Sequence, residues 1–178
     1  YGGDSDNGER VRIHTNGVLS ASDGIALGVG TNNTTSNVLD DYEEGSFTPQ
    51  YRGSAGSAGS LAYTDQTARY TKIGRVVQVQ GQIFWGASDG SGTGLVWITL
   101  PFTNTSAARG GIAPGLQSGI DVETDHQLYV MPEINTTTLY ILYSKDNDPA
   151  GGHSHMQPED VRNYSSRAFS FGGTYITN

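Results

Sequence analysis

Residues 75–85, RVVQVQGQIFW, carry the pattern that most constrains the fold of this chain. Apolar and polar residues alternate along it, and successive side chains of an extended strand point to opposite faces. One face of the segment would therefore be buried, and the other would be an exposed row of amides. The apolar members are Val77, Val79, Ile83 and Trp85, and the polar members are Gln78, Gln80 and Gln82. The pattern predicts a strand that lies half buried in a β-sheet.

Five further segments have the apolar character of strands. Residues 95–100, LVWITL, form a continuous apolar run, which is typical of a strand buried inside a sandwich. The others are residues 128–131, 139–143, 169–171 and 174–177. Short strands at this spacing, separated by Gly-rich turns, indicate an all-β protein with a β-sandwich or jelly roll.

The composition favours strands and turns and leaves little material for a core. The chain has 178 residues, of which 25 are Gly, and only 35% are hydrophobic. Gly is a poor helix former, and a modest apolar fraction limits the core that one chain can bury. We therefore expect the chain to gain stability by associating with copies of itself.

The charge balance narrows the classes of partner. The net charge is −8, with 10 Lys and Arg against 18 Asp and Glu. Nucleic acid and anionic membrane surfaces attract basic stripes, so neither is an expected partner. Cations and neutral sugars fit an acidic chain better. The chain has no Cys, which excludes disulfides, and it has no apolar run near the ~18 residues that span a membrane.

The first 38 residues are rich in Gly, Asn, Ser and Thr, with small apolar islands at residues 10–14 and 25–30. The Asn16-Gly17 pair predicts a tight turn between strands. Such a segment could bury a narrow axis if it wrapped around copies of itself. The alternative is a disordered linker. By composition, residues 53–60, GSAGSAGS, predict a flexible loop.

Two motifs together resemble the start of the C-terminal head domain of bacteriophage tail fibres. They are residues 39–49, LDDYEEGSFTP, and residues 70–77, YTKIGRVV. Residues 100–102, LPF, match a corner of that family, and residues 171–177, FGGTYIT, are similar to its closing strand. Residues 9–18 also resemble, over a short run, the repeats of fibre shafts. Residues 103–168 show no resemblance, and a receptor-binding surface would diverge there.

The resemblance implies a fold, an assembly and a place of action. We expect an all-β homotrimer with an intertwined β stem at residues 1–38, an acidic hinge at 39–49 and a jelly-roll-like β-sandwich head at 50–178. Because the chain begins with Tyr1, we expect it to be part of a longer protein.

The expected function is adhesion at the tip of a virion tail fibre, outside the cell. Its partners would be a host surface glycan or outer-membrane protein and other tail or fibre proteins. One alternative is a glycan depolymerase of the tailspike kind. Another is a purely structural domain that joins or decorates parts of the virion.

Residues 151–155, GGHSH, place two histidines two positions apart. In a strand, His153 and His155 would project to the same face. Three chains around an axis would offer six imidazoles, an octahedral cage suited to a ferrous or similar transition-metal ion. The run also resembles G-x-H-x-H motifs that phage fibres and spikes use in this way. The alternatives are an exposed polar loop and a pair that contacts sugar.

Two acidic segments resemble calcium loops. Residues 4–9, DSDNGE, have the beginning of such a loop, but Thr15 stands where an EF-hand requires a bidentate Glu. A calcium turn of another kind stays open there. Residues 146–149, DNDP, predict a turn, with a cation site as the alternative.

No catalytic constellation is apparent, and we expect the chain not to be an enzyme. Asp40, Asp41, Glu43 and Glu44 are crowded in one short segment. Glycoside hydrolysis instead needs two carboxyls held ~5–9 Å apart across a cleft. The chain also lacks the G-x-S-x-G motif of a nucleophilic serine.

Tyrosine is the most frequent aromatic residue, with 10 copies. Flat rings bind the apolar faces of sugars, and neighbouring amides, carboxylates and imidazoles fix the hydroxyls. The alternative is that many of these tyrosines lie in the core or in a trimer interface. The predicted receptor-binding residues are Tyr129, Tyr140, Tyr143, Asn135, Asp146 and Asn147, with His153 nearby.

Overall fold

The computed structural model describes residues 10–27, 38–39, 41–53, 61–88, 94–120, 126–145, 153–157, 160 and 167–178. These residues form fourteen β-strands and contain no α-helix, which confirms the all-β prediction. The chain divides into two units, Tyr1–Tyr42 and Glu43–Asn178.

The first unit contains two short antiparallel ribbons. Strand β1 (Val11–Ile13) pairs with β2 (Leu19–Ala21), and β3 (Ile25–Ala26) pairs with β4 (Val38–Leu39). The β1–β2 turn is closed by a backbone bond from His14 N to Val18 O of 2.8 Å, and Gly17 has a φ of 84°. The turn predicted from Asn16-Gly17 is confirmed.

The β1–β2 ribbon has an apolar face that is largely exposed. The register places Val11 opposite Ala21 and Ile13 opposite Leu19, so these four side chains share one face. Val11 is 60% exposed and Ile13 is 77% exposed. An isolated two-stranded ribbon is marginally stable in water. In the described part of this unit, the apolar face of the ribbon is therefore exposed, although a stable ribbon would bury it.

The second unit contains ten strands in two sheets. They are β5 (Tyr42–Phe47, whose first residue precedes the division between the units), β6 (Tyr51–Gly53), β7 (Leu61–Ile73), β8 (Val76–Ser88), β9 (Val96–Thr99), β10 (Gly111–Ser118), β11 (His126–Pro132), β12 (Thr138–Lys145), β13 (His153–His155) and β14 (Arg167–Ile176). The first sheet has the order β10-β14-β8-β7-β5. The second has the order β11-β12-β9-β6, and β13 also pairs with β12. The chain passes repeatedly from one sheet to the other.

The two sheets share one hydrophobic core. The predicted apolar face of β8 lies in it, with Trp85 only 2% exposed, and the three glutamines of the opposite face are exposed. From the second sheet come Ile98 on β9, Val130 on β11, and Leu139 and Ile141 on β12. The alternation at residues 75–85 therefore predicted both the strand and its buried face.

Other strands differ from the sequence prediction. The run at residues 95–100 is not buried throughout, because Val96 and Ile98 are buried whereas Trp97 is half-buried on the other side of β9. Residues 169–171 and 174–177 belong to one strand, β14, except for Thr177, which forms an isolated bridge. Six residues of the predicted acidic hinge form β5, at the edge of the first sheet. Most of the predicted loop at 53–60 lies outside the described residues.

The motifs that resemble the tail-fibre head meet at one corner around Phe102. The Tyr175 hydroxyl accepts a hydrogen bond from Phe102 N and donates one to Phe102 O, both at 3.1 Å. The Tyr70 ring packs edge-on against the Phe102 ring, with centroids 4.9 Å apart. The Lys72 ammonium lies 5.7 Å from the centre of the same ring. These motifs therefore help to build the fold.

The same corner requires a glycine in β5. The Tyr70 hydroxyl donates a hydrogen bond to the Glu43 carboxylate, and this contact brings the ring against Gly45. A Cβ placed on Gly45 would lie 2.5 Å from the Tyr70 hydroxyl oxygen, which is closer than real Cβ atoms approach. Glycine at position 45 is therefore what lets β5 pass beside Tyr70.

Candidate receptor-binding face

Two predicted tyrosines and both predicted histidines lie on the outward face of the second sheet. Leu139 and Ile141 of β12 point into the core, so Tyr140 and Leu142 point outward. Tyr129 of β11 and His155 of β13 lie directly opposite Leu142, on either side of it. Cross-strand partners share a face of the sheet. We call Tyr129, Tyr140, Leu142, His153 and His155 the aromatic face.

The rings of this face form a connected set of edge-on contacts. The centroids of Tyr140 and His155 lie 4.8 Å apart with an angle of 87° between the ring planes. Tyr129 and His153 lie 6.4 Å apart, and the two histidines lie 6.1 Å apart. Edge-to-face packing is a favourable arrangement of aromatic rings. Each ring is thus held in place by at least one other ring.

Leu142 anchors the set from beneath. It has no exposed surface, although it lies on the side of the sheet that faces away from the core. Tyr129, Tyr140 and His155 around it are half-buried. Rings that are packed on one side and open on the other lose little side-chain entropy when they bind a ligand. The rings therefore form a partly apolar surface whose side chains are already packed.

Burial favours the neutral form of two of these rings, His155 and Tyr129. Burial lowers the pKa of His155, and the charges of His153 and Arg109 lower it further. The Glu133 carboxylate raises it. Burial raises the pKa of Tyr129. Arg109 and Glu133 themselves form an ion pair of 2.7 Å. A surface of this kind suits a neutral ligand better than an ion.

The other predicted receptor-binding residues do not join this face. Tyr143 lies opposite Leu128 and therefore on the core-facing side of the sheet, where its ring packs against His126 at 5.1 Å. Asn135 has a φ of 58° and donates its backbone N–H to Asn104 O, so it shapes the β11–β12 turn. Asp146 and Asn147 lie outside the described residues.

Two outward residues of the second sheet, one in the aromatic face and one beside it, were not predicted from the sequence. Leu142 supports the rings, and the half-buried Trp97 of β9 lies directly opposite Tyr140. Trp97 sits between two buried residues of β9, Val96 and Ile98. Had residues 95–100 been treated as an alternating strand, Trp97 would have been expected on the outward side.

The metal predictions stay untested. His153 and His155 do share a face, as expected for a strand. Within the part of the chain that the structure describes, no three or more His, Asp or Glu side chains cluster as metal ligands. One chain thus offers two imidazoles, and the predicted cage would need other copies. The two calcium segments, residues 4–9 and 146–149, lie outside the described residues.

Comparisons of this chain with protein families, with curated proteins and with solved structures give no match. The described residues include no helix that is long and apolar enough to cross a membrane.

Proposed function

We propose that this chain is the adhesion head of a bacteriophage tail fibre and that it binds a glycan of the host surface through the aromatic face. The observation that carries the proposal is the set of tyrosine and histidine rings held over buried Leu142 on an outward sheet surface. The tail-fibre part of the proposal is supported by the motifs at residues 39–49, 70–77, 100–102 and 171–177.

The chemistry of the face fits a sugar. Tyrosine rings present flat apolar surfaces to the C–H faces of a sugar, and the phenol and imidazole groups can exchange hydrogen bonds with its hydroxyls. A neutral ligand of this kind also meets no repulsion from a chain with a net charge of −8. The Arg109–Glu133 pair would supply polar groups near the rings.

The assembly that we propose is a parallel homotrimer with a jelly-roll head and an intertwined stem. The exposed apolar face of the β1–β2 ribbon supports a stem that needs partner chains. Three copies of a weak sugar site on each fibre would turn modest affinity into firm attachment, because bound copies raise the effective concentration of the others. The fibre would act outside the cell, joined to other tail proteins.

The test is binding of the full chain to immobilised bacterial lipopolysaccharides and capsular polysaccharides. We expect Tyr129→Ala and Tyr140→Ala each to weaken binding to the polysaccharide that the native chain selects by about tenfold or more. Tyr42→Ala is the control, since Tyr42 is 59% exposed in the other unit. Native binding that survives both tyrosine substitutions would contradict the proposed site, and binding to none of the polysaccharides would contradict glycan recognition.

The same samples separate adhesion from cleavage. A depolymerase would lower the viscosity of the polysaccharide during incubation, whereas an adhesion head would leave it unchanged. A purely structural virion domain would bind neither polysaccharide nor host cells.

A further inference from the structure

The outward face of the first sheet contains a long groove. It has a volume of about 660 Å³ and crosses strands β7, β8, β14 and β10. Gln78, Gln80 and Gln82 of β8 line it, with Arg69 on one side and Gly172 on the other. We call this the amide groove. It lies on the opposite side of the sandwich from the aromatic face, because the core separates the two sheets.

The face around the groove is poor in charge. The pairing of β8 with β7 and β14 defines fifteen outward positions, five on each strand. Arg69 and Asp65 are the charged residues among them, and their charges cancel. The whole chain carries −8, so copies of it repel one another on average. Glu44 of the edge strand β5 adds one negative charge beside Arg69, so two copies meet on this face with little net charge repulsion.

The polar groups of the groove suit contact with a like surface. A glutamine amide both donates and accepts hydrogen bonds, so rows of glutamines from two copies can satisfy each other. The Asp65 carboxylate is already engaged, since it accepts hydrogen bonds from Thr67 and from Gln82, each at 2.5 Å. These bonds lower the pKa of Asp65 and hold the Gln82 amide in place.

One end of the same face is apolar and exposed. Ile73, Val76 and Ile176 are cross-strand neighbours on the outward side of β7, β8 and β14. Ile73 is 50% exposed and Val76 is 46% exposed. Adjacent apolar side chains next to a polar patch are typical of a protein–protein contact. A glycan would gain less here, because the outward side chains that line the groove are mainly amides, hydroxyls and small residues.

We infer that the outward face of the first sheet is the surface through which copies of this chain associate in the head, with Gln80 near the centre of the contact. The number of copies, three, rests on the proposed fibre assembly. The association itself rests on the charge, the amides and the apolar end of the face. The aromatic face would then point away from the axis, towards a receptor, and His153 and His155 would not converge on an axial metal.

The absence of cysteine from the chain gives a direct test. Gln80→Cys and Gln127→Cys place a single thiol on the outward faces of the first and second sheets, at positions where the native glutamine is exposed. After mild oxidation of the full chain, we expect Gln80→Cys to run mainly as a disulfide-linked dimer on a non-reducing gel. We expect Gln127→Cys to stay mainly monomeric on the same gel.

Charge variants at the same two positions provide a second test, by measurement of the mass of the assembly. Gln80→Glu should lower the mass measured by light scattering about threefold, or shift dissociation to concentrations at least tenfold higher, while the matched Gln127→Glu should not. A Gln80→Cys variant that stays monomeric on the gel, in a chain of trimeric mass that still binds polysaccharide, would overturn the inference and leave the proposed function standing. Cross-linking of the Gln127→Cys variant instead would place the surface beside Tyr129 in the contact and would contradict the proposed binding site as well. A native chain that is monomeric would overturn the inference and the proposed assembly together. An unchanged mass of Gln80→Glu with lost polysaccharide binding would make the groove a ligand site and overturn the inference as well.

Discussion

Replacement of Tyr175 by Phe removes a single hydroxyl group from the corner around Phe102. That hydroxyl makes two hydrogen bonds of 3.1 Å, one from Phe102 N and one to Phe102 O. The tyrosine side chain is almost completely buried, and Phe keeps its ring. A net hydrogen bond contributes about 1 kcal/mol, and a polar group left unsatisfied costs about 1–3 kcal/mol. We expect the free energy of unfolding to fall by about 1–3 kcal/mol near neutral pH.

The pH dependence of this loss provides a sharper check. Burial raises the pKa of Tyr175 from 10.0 to about 12. The folded state thus favours the neutral phenol, and the stabilisation is complete below pH 10 and is lost as the pH rises towards 12. At about 1.4 kcal/mol per pKa unit, the native chain should lose about 3 kcal/mol across this interval through Tyr175. The Phe variant has no group there to titrate.

The assay is urea denaturation of both full chains at one protein concentration, followed by tryptophan fluorescence. Trp85 is buried in the core and reports its exposure. The difference in unfolding free energy between native and variant should be constant from pH 7 to 9 and should close between pH 10 and 12. An equal stability of both chains at pH 8, or a difference that stays constant up to pH 12, would refute the role assigned to this hydroxyl.

Three other predictions use neighbouring parts of the structure. Gly45→Ala should cost about 1–3 kcal/mol of stability, because the new Cβ overlaps the Tyr70 hydroxyl. The control Gly86→Ala has no atom within 4 Å of its Cβ and should cost less than about 1 kcal/mol. Equal thermal denaturation of the two variants would contradict this prediction. Leu142→Ala should lower the free energy of unfolding by about 2–5 kcal/mol and weaken polysaccharide binding, as measured by denaturation and binding assays. The control Leu116→Ala should change neither property appreciably, since Leu116 is 52% exposed. Because the pKa of His155 is lowered, its contribution to the free energy of unfolding is present above the ordinary value of 6.5 and is lost as the pH falls below it. His155→Phe should therefore reduce the fall of stability with decreasing pH below 6.5. If urea denaturation shows the same fall of stability below pH 6.5 in both chains, His155 does not titrate as described.

The sequence predicted the strand with one clear alternation but not the strands in which both faces carry mixed residues. β8 has apolar residues on one face and amides on the other, so its period is unambiguous. β7 buries Ala68 and half-buries Tyr70 beneath outward Thr and Arg residues, and β10 contains Gly and Pro. Neither pattern indicates a strand. Pairing with β8 stabilises β7, and pairing with β14 stabilises β10, more than the composition of either segment does.

Gly172-Gly173 led to the prediction of two closing strands where the structure has one. Gly173 has a φ of 152°, and a Cβ on it would overlap Gly111 O of the neighbouring strand. The glycine therefore permits a close approach between β14 and β10 and does not end the strand. A local reading of glycine as a breaker cannot include a neighbour that is distant in sequence.

For the candidate site, the sequence supplied the residue types but could not supply the faces. Tyr140 and Tyr143 belong to the same apolar segment, and both sides of β12 carry large apolar side chains. Periodicity therefore does not tell which tyrosine points outward. The pairing of β12 with β11, β9 and β13 decides it, and that pairing involves residues up to 43 positions apart, such as Trp97 and Tyr140.

The position of β14 has a consequence for how the head forms during synthesis. β14 lies between β8 and β10, and 78 residues separate the end of β8 at Ser88 from the start of β14 at Arg167. At roughly 5–20 residues per second, a ribosome needs about 4–16 s to make them. During that interval one edge of β8 has no native partner, and unpaired edges promote aggregation. The head should therefore depend on slow, late closure of its first sheet, and nascent chains that have not yet reached Arg167 should be the form that needs protection by chaperones.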